Sequence, residues 1–576
     1  MPRTNEAVAA LLQEYADLLL ISGGDAFRAR AYEKAAAAVA GYGGDVSALD
    51  ARGVRAIPHV GASIAEKVVE FLGTGKVAAL DELRARVPEG VREMTAIPGL
   101  GPKRAKLLFE DLGIDSVPAL RQAVEAGRLR GVKGFGEKSE ANILHGIDLM
   151  SKAGGRVPVN AAMELAEEVV AALSELREAR RVAFAGSLRR MQETIGDVDV
   201  LVAAERAVPV MQRFRSLPFV TEVIASGETK TSVRTTRGIQ VDVRVVDPRV
   251  WGAALVYFTG SKAHNIRIRE IAVRMGLKLS EYGLFEADTE RLLAAETEEE
   301  VYRRLGMDWI PPTLREDRGE VEAALRGELP ALVELKDVRG DLHTHTNLTD
   351  GQAPLAEMVA AAVRLGYAYY AITDHAPQLH MQRMTDEKML AQREEVRRLA
   401  ASGAGGRMTL LHGSELNIDA DGAVDWPPEF LAGFDLTVAS VHSHFTQTKQ
   451  EMTRRLVRAC ENPYVNVIGH PSARLIGKRA AIEFDADEVF RAAARTGTAL
   501  EVNSFPDRLD LSDEHILWAR RFGVRFAIDT DAHATVHLEN LRYGVATAQR
   551  GWLTRDDVIN AWPLSRLRRF LAKPGR

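Results

Sequence analysis

The chain has 576 residues, 46% hydrophobic and 27% charged, with a net charge of −5, which is apolar material for several domains. No apolar run approaches the eighteen residues of a membrane span, and the opening MPRTNEAVAA lacks a signal-type apolar segment, so a cytoplasmic protein with no membrane partner is expected. The single cysteine, Cys460, has no thiol partner, so any metal must be held by His, Asp and Glu. Net charge decides little about nucleic acid, because carboxylate-rich metal sites offset basic surfaces in the same sum.

To about Met150 the sequence alternates helical periodicity with short glycine-containing turns and reads as all-helical. Three segments there, IPHVGASIAEKVVEFL, IPGLGPKRAKLLFEDLGI and VKGFGEKSEANILHGI, repeat one design. An apolar residue precedes a short glycine loop, and a helix follows that opens with small and basic residues. Gly61, the pair Gly99 and Gly101, and the pair Gly134 and Gly136 let backbone approach a phosphate, with Lys103 and Lys138 close behind. The design resembles the helix-hairpin-helix element that grips DNA backbone without reading sequence. The first copy departs from it, with His59 where the others carry glycine.

From Arg181 the pattern changes to short alternating runs, RVAFAG, DVDVLVAA and IQVDVRVV, which suit a mixed or antiparallel sheet. In a strand, residues two apart share a face, so Asp197 and Asp199 point the same way and can hold two divalent cations about 3.5–4 Å apart. Asp242, from another such run, is placed to supply a third carboxylate. A polar turn after Gly186 and Ser187 leads to this D-x-D, a spacing that marks nucleotidyltransferases.

With the motif YFTGSKAHNIRIRE added, residues 1–315 resemble DNA polymerase beta and its family X relatives. The resemblance implies Asp197, Asp199 and Asp242 as ligands of two Mg²⁺ or Mn²⁺. It implies Gly186, Ser187, Arg190 and Gly196 around the incoming triphosphate, with Arg156 assisting. Tyr257 and Phe258 would lie against the sugar, Gly260 would form the turn that admits the base, and Asn265 and Arg269 would contact minor groove and template. Gln240 stands where animal members carry an arginine beside the primer. The amino-terminal unit resembles the family's deoxyribose-phosphate lyase, with Lys67 at the Schiff-base position and Tyr32 and Arg28 accompanying, although Ser63 and Ala79 replace supporting lysines.

Residues 316–338 are charge-dense and strand-free, which suits a helical connector wrapped on a surface. After them, seven strand-like runs each end in a polar group: VRGDLHTH, YYAITDH, MTLLHGSE, DLTVASVH, VNVIGH, TALEVN and RFAIDTDAH. Seven β/α units predict a closed parallel barrel with its chemistry at the carboxyl ends of the strands. Those ends supply His343, His345, Asp350, His375, Glu415, His442, His470, Asp531 and His533, a thiolate-free set suited to Mn²⁺, Zn²⁺ or Fe²⁺. DLHTHT and the closing DAH resemble the PHP (polymerase and histidinol phosphatase) family. Carried across, its trinuclear site puts His343, His345, Glu415 and Asp531 on one ion. Glu415 then bridges to a second ion on His442 and His470, and Asp350, His375 and His533 hold a third. Asp374 and His444 have no ligand role in that pattern.

The expected fold is therefore multidomain: an all-α helix-hairpin-helix region, an α+β nucleotidyltransferase palm with thumb, and a (β/α)7 PHP barrel. Its expected parts are a lyase-like unit at 1–90, a DNA-binding unit at 91–155, the palm at 156–246, the thumb at 247–315, the connector at 316–338 and the barrel at 339–576. The leading expectation is a templated, gap-filling repair polymerase with a 3′-processing nuclease, acting as a monomer on nucleoid DNA with deoxynucleoside triphosphates. Two alternatives stand beside it: a polymerase fused to a phosphomonoesterase, and a DNA-end-binding scaffold with a vestigial transferase. Template-independent addition is a further option, which Asn265 and Arg269 disfavour.

Overall fold

The computed structural model describes residues 3–573, apart from 43, 96, 98, 99, 131, 133, 134, 137, 138, 141, 142, 145, 148–154, 380, 381 and 383. Gly99, Gly134 and Lys138 therefore lie outside the described residues.

Up to residue 147 the described structure is helical and has its own core, in which Leu12, Tyr32, Val39, Leu80, Leu100, Leu108 and Leu120 are buried. The three glycine segments share one backbone pattern. A tight turn closes from Val60 N–H to the Ile57 carbonyl, from Leu100 to Ile97, and from Phe135 to Val132, at 3.1, 2.9 and 3.0 Å. Gly61, Gly101 and Gly136 then start the next helical turn, their carbonyls accepting from Ala65, Ala105 and Glu140. At all three glycines an added Cβ would meet nothing within 4 Å, so the backbone is open to an approaching chain. His59 has φ +65, the left-handed region that glycine adopts most readily.

The palm is a five-stranded sheet in the order Arg181–Phe184, Asp197–Ala203, Gln240–Val246, Lys230–Thr235, Val220–Ser226. Alternation decides which face does what. Val198, Val200 and Val202, with Val241 and Val243, bury against the helix Val159–Ser174. On the opposite face Leu201 and Ala203 bury under Trp251, Ala254 and Leu255 of the helix Trp251–Thr259. Only the start of that second face stays uncovered, and there the aspartates sit. The thumb adds the helix Lys262–Arg274, a three-stranded antiparallel sheet and the helix Glu298–Arg304 around Val301, Tyr302, Ile310 and Leu314. Within 316–338, the helix Glu320–Arg326 sends Val321 and Ala324 into this same thumb core.

The carboxy-terminal unit is a seven-stranded all-parallel sheet in strictly sequential order, from Gly340–Asp341 to Phe526–Asp529. One parallel bridge, Thr344 to Ala532, with His345 N–H to the Ala532 carbonyl at 2.9 Å, brings its edges together, so the barrel is nearly closed. Leu342, Tyr369, Leu411, Val438, Val467 and Ala527 form an apolar layer with Leu567 and Leu571 of the helix Leu564–Leu571. The polar strand ends gather at the opposite rim.

The helix Leu541–Arg550 of this unit docks on the polymerase part. Tyr543 and Leu509 complete the palm's apolar core, Trp552 packs on that of the thumb, and Arg542 pairs with Glu167 at 2.8 Å. Tyr543 is 3% exposed, so Tyr543→Ala opens a cavity in a core shared by both parts and is expected to cost about 3 kcal/mol. Chemical denaturation should show the loss as a lower midpoint; an unchanged midpoint would contradict the shared core.

Candidate active sites

Asp197–Ala203 and Gln240–Val246 pair in parallel with Asp199 directly opposite Asp242 and Asp197 opposite Gln240. With the period-two alternation this puts Asp197, Asp199 and Asp242 on one face, from adjacent strands, at the uncovered edge. Asp197 is exposed, Asp199 half-buried and Asp242 buried. Gly186 has φ +60, and a Cβ on it would lie 2.3 Å from Asp199 Oδ2, so only glycine fits beside the carboxylate. Burial, then the charges of Asp197 and Asp242, raise the Asp199 carboxyl to about 7. Burial also opposes charge on Asp242, but hydrogen bonds from Lys230, Gln240 and Ser232 hold it below its ordinary value. Lys230 Nζ lies 2.6 Å from Asp242 Oδ2, and Gln240 Nε2 donates to Oδ1 at 2.9 Å. Burial at Asp199 and Asp242, with the charge of Asp197 beside them, makes a carboxylate set of the kind that hard divalent cations stabilise.

Ser187 lies on the short helix Gly186–Arg189, which leads back from the neighbouring strand to the aspartates. Arg190 donates from Nη1 to the Thr259 carbonyl at 2.6 Å and from Nε to Glu316 at 2.9 Å, which ties the turn after that helix to the thumb. Arg156 donates from Nε to Thr194 Oγ1 at 3.0 Å, and a Cβ on Gly196 would lie 3.2 Å from its Nη1. Tyr257 and Phe258, half-buried, meet edge to face at 5.0 Å. Arg269 lies over Tyr257 at 5.0 Å, Arg244 over Phe258 at 4.6 Å, and Asn265 Nδ2 donates to the Tyr257 carbonyl at 2.7 Å. Gly260 has φ +64 and caps their helix. The structure thus brings Tyr257, Phe258, Gly260, Asn265 and Arg269 together at the palm–thumb junction.

In the amino-terminal unit Lys67 Nζ lies over the stacked rings of Tyr15 and Tyr32, 5.4 and 5.9 Å from their centroids, and donates to Ser63 Oγ at 3.2 Å. Arg28 is exposed.

At the barrel rim nine side chains converge. His343 Nε2 and His345 Nε2 stand 3.2 Å apart; from Glu415 Oε2 they are 3.4 and 3.6 Å, and from Asp531 Oδ1 3.7 and 3.2 Å. A tetrahedral ion with ligands at about 2.1 Å spaces them by about 3.4 Å, so His343, His345 and Glu415 are close enough to share one, with Asp531 facing the two imidazoles. The second oxygen of Glu415, Oε1, faces His442 Nε2 at 3.1 Å and His470 Nε2 at 3.0 Å, and the ligand atoms close enough to share a second ion are those of His375, Glu415 and His442. Asp350 meets His375 Nε2 at 3.2 Å and His533 Nε2 at 3.4 Å. His345 Nδ1, 3.9 Å from Asp350, joins that third group, and His375 Nδ1 also reaches Glu415 at 2.9 Å.

Electrostatics couple these groups. Burial disfavours an imidazolium at His343, yet Glu501, Glu415 and Asp531 raise it well above its ordinary value. Burial, followed by the charge of Arg508, pushes His470 down to about 3 and keeps it neutral, as a ligand must be. His470 and Asp531 both carry positive φ, 27 and 52, strain that the surrounding rim must hold in place.

Sequence reasoning missed several partners. Glu501 binds His343 Nδ1 at 2.6 Å and Asn417 binds His442 Nδ1 at 2.8 Å, each fixing which ring nitrogen faces inward. Arg508 Nε stands 3.3 Å from Asp531. A glutamate in the middle of the apolar run TALEVN was a visible cue; nothing in the sequence singled out Lys230. Asp374 accepts from Thr346 N–H at 2.9 Å and Thr349 Oγ1 at 2.5 Å and so shapes the loop that carries Asp350. His444 is exposed, and its ring contacts Ser443 Oγ at 3.0 Å.

A raised carboxyl has a sign. The Asp199 proton is held more tightly in the folded than in the unfolded chain, so its stabilisation is complete below about pH 4 and is lost as pH rises to about 7. In chelator, wild-type stability should fall over that window while Asp199→Asn falls less. Urea titrations at pH 5 and 7.5 check this; parallel declines would contradict it.

Family comparisons follow this geometry along the chain. Residues 3–77 match a helix-hairpin-helix domain, 91–147 a SAM-like helix-hairpin-helix tandem, 156–246 the DNA polymerase beta palm, 254–316 the DNA polymerase beta thumb, and 341–505 the PHP domain. A Bacillus subtilis (strain 168) protein named DNA polymerase/3′-5′ exonuclease PolX is 36% identical over 569 residues, 98% of this chain and 99% of its own. DNA polymerase lambda of Rattus norvegicus is 27% identical over 51% of this chain and 53% of its own. A probable phosphatase of Thermoanaerobacter sp. (strain X514) is 26% identical over 41% of this chain and 95% of its own. With the polymerase palm and thumb ahead of the metal-rich barrel, and a full-length relative at that identity, the chain belongs to the family X DNA polymerases that carry a carboxy-terminal PHP domain.

Proposed function

We propose that this chain is a template-dependent DNA polymerase that fills short gaps during repair, and that its barrel is a metal-dependent 3′–5′ exonuclease that trims or unblocks 3′ ends. The observation that carries the first half is the register that sets Asp199 against Asp242 with Asp197 two residues away. Two Mg²⁺ or Mn²⁺ held by Asp197, Asp199 and Asp242 would activate the primer hydroxyl and neutralise the leaving pyrophosphate. Ser187 and Arg190 orient the triphosphate, with Arg156 beside Gly196. Tyr257 and Phe258 bound the sugar, the turn at Gly260 leaves room for the base, and Asn265 and Arg269 meet the nascent pair and template. Lys230 and Gln240, both bonded to Asp242, keep it ionised and oriented, a task that fits the absence of the animal enzymes' arginine at position 240.

For the barrel, ions on His343, His345, Asp350, His375, Glu415, His442, His470, Asp531 and His533 would turn water into hydroxide near neutral pH. Mn²⁺, Zn²⁺ and Fe²⁺ all suit this imidazole and carboxylate set. Gapped or primer–template DNA and deoxynucleoside triphosphates are the substrates, and the enzyme acts as a monomer in the compartment that holds the genome. Gly61, Gly99, Gly101, Lys103, Gly134, Gly136 and Lys138 grip the DNA backbone, supported by the open glycine loops. Lys67, set against Tyr15 and Tyr32, is the candidate for a 5′-deoxyribose-phosphate lyase step, in which its amine condenses with the sugar aldehyde.

A second reading of the barrel, a phosphomonoesterase, is favoured by one observation, the match to a probable phosphatase over 95% of that protein. Full-length protein carrying Asp197→Ala, given Mn²⁺ and either single-stranded DNA or a phosphomonoester, separates the two. Nucleotide release from DNA supports the nuclease, and hydrolysis of the monoester alone contradicts it. In wild type the two activities should also dissociate by mutation. Asp242→Ala is expected to reduce one-nucleotide gap filling by at least about 10³-fold while exonuclease persists, and Glu415→Ala to do the reverse. Retained incorporation by Asp242→Ala would favour a DNA-end scaffold.

A further inference from the structure

The sharpest contact between the two halves of the chain runs into the nucleotide pocket. Arg550, at the end of the docking helix Leu541–Arg550, donates from Nη1 to Glu316 Oε1 at 2.9 Å and to the backbone carbonyl of Arg190 at 2.9 Å. The same Glu316 oxygen accepts from Arg190 Nε at 2.9 Å and from Gln192 Nε2 at 2.6 Å. Asp513, also from the barrel unit, anchors Arg550 Nη2 at 2.7 Å and takes Arg318 at 3.0 Å. The chain of charges is enclosed: the Arg550 side chain is 5% exposed, those of Glu316 and Arg190 13%.

We infer that Arg550 of the PHP unit is a positioning residue for the polymerase reaction, setting through Glu316 how Arg190 meets the triphosphate of an incoming nucleotide. This rests on the polymerase reading above. Arg190 has Nε on Glu316 and Nη1 on the Thr259 carbonyl, which leaves Nη2 and the second N–H of Nη1 as its remaining donors among the described contacts. Glu316 therefore both aims the guanidinium and competes with phosphate for it. A half-buried carboxylate facing one arginine holds it as a closed pair; shared with a second guanidinium, it holds the first more weakly and in a fixed direction. Arg550 supplies that second charge and also satisfies the carbonyl of Arg190 itself.

The test is steady-state incorporation on a one-nucleotide gap, with nucleotide binding followed separately by fluorescence of a labelled deoxynucleoside triphosphate, for full-length wild type, Arg550→Ala, Arg550→Lys, Asp513→Asn and Arg542→Ala. Arg542 pairs with Glu167 at the same interface but away from the pocket, so it reports docking alone. Arg550→Ala is expected to raise KM and the dissociation constant for the nucleotide roughly five- to tenfold with kcat changed by less than about twofold. Arg550→Lys should recover part of the loss, Asp513→Asn should show a smaller rise, and Arg542→Ala none. Equal effects of Arg550→Ala and Arg542→Ala, or an unchanged KM in Arg550→Ala, would overturn the inference. A wild type that binds nucleotide without incorporating it sinks the polymerase reading but leaves the binding comparison to decide this one.

Discussion

Everything in the polymerase half depends on like charges being forced together. The parallel pairing of two strands places Asp199 beside Asp242, and alternating valines buried on the opposite face make that register costly to slip, because a one-residue shift would send carboxylates into the core. A scaffold that holds acids against burial and mutual repulsion stores an affinity for cations. The barrel follows the same logic with a different donor set, since Glu415 is buried among imidazoles and presents one oxygen to each of two groups. In both places the apolar packing around the site supplies the free energy that keeps ligands close when no ion is bound.

Much of this was legible in the sequence because it is local and periodic. Asp197 and Asp199 advertise a shared face by their spacing, and each of the seven barrel strands ends in its own polar residue. The third glycine repeat and the second agree with the first once His59 is seen in the left-handed region, where a helix-initiating loop needs glycine or a tolerant substitute. Glu501, Asn417 and Lys230 escaped because their roles arise between strands. A residue that orients another's imidazole has no spacing of its own. Helix was legible in Glu320–Arg326, but its charges suggested a surface connector, whereas Val321 and Ala324 are buried in the thumb core.

The union of the two halves was the least legible feature. Arg550 and Glu316 are 234 positions apart, and neither stands out within its own helix or loop. Such contacts change how the fusion is understood. Tyr543 and Leu509 fill the palm's core, and Trp552 that of the thumb, so the barrel is part of the packing that shapes the polymerase and more than a tethered passenger.

The most direct test of the account is where divalent ions settle in the polymerase half. Crystals of the full-length protein with a one-nucleotide gap, Mn²⁺ and a non-hydrolysable deoxynucleoside triphosphate should give anomalous peaks between Asp197, Asp199 and Asp242 in contact with the triphosphate oxygens. Triphosphate bound elsewhere, or Mn²⁺ found only at the barrel rim, would contradict it.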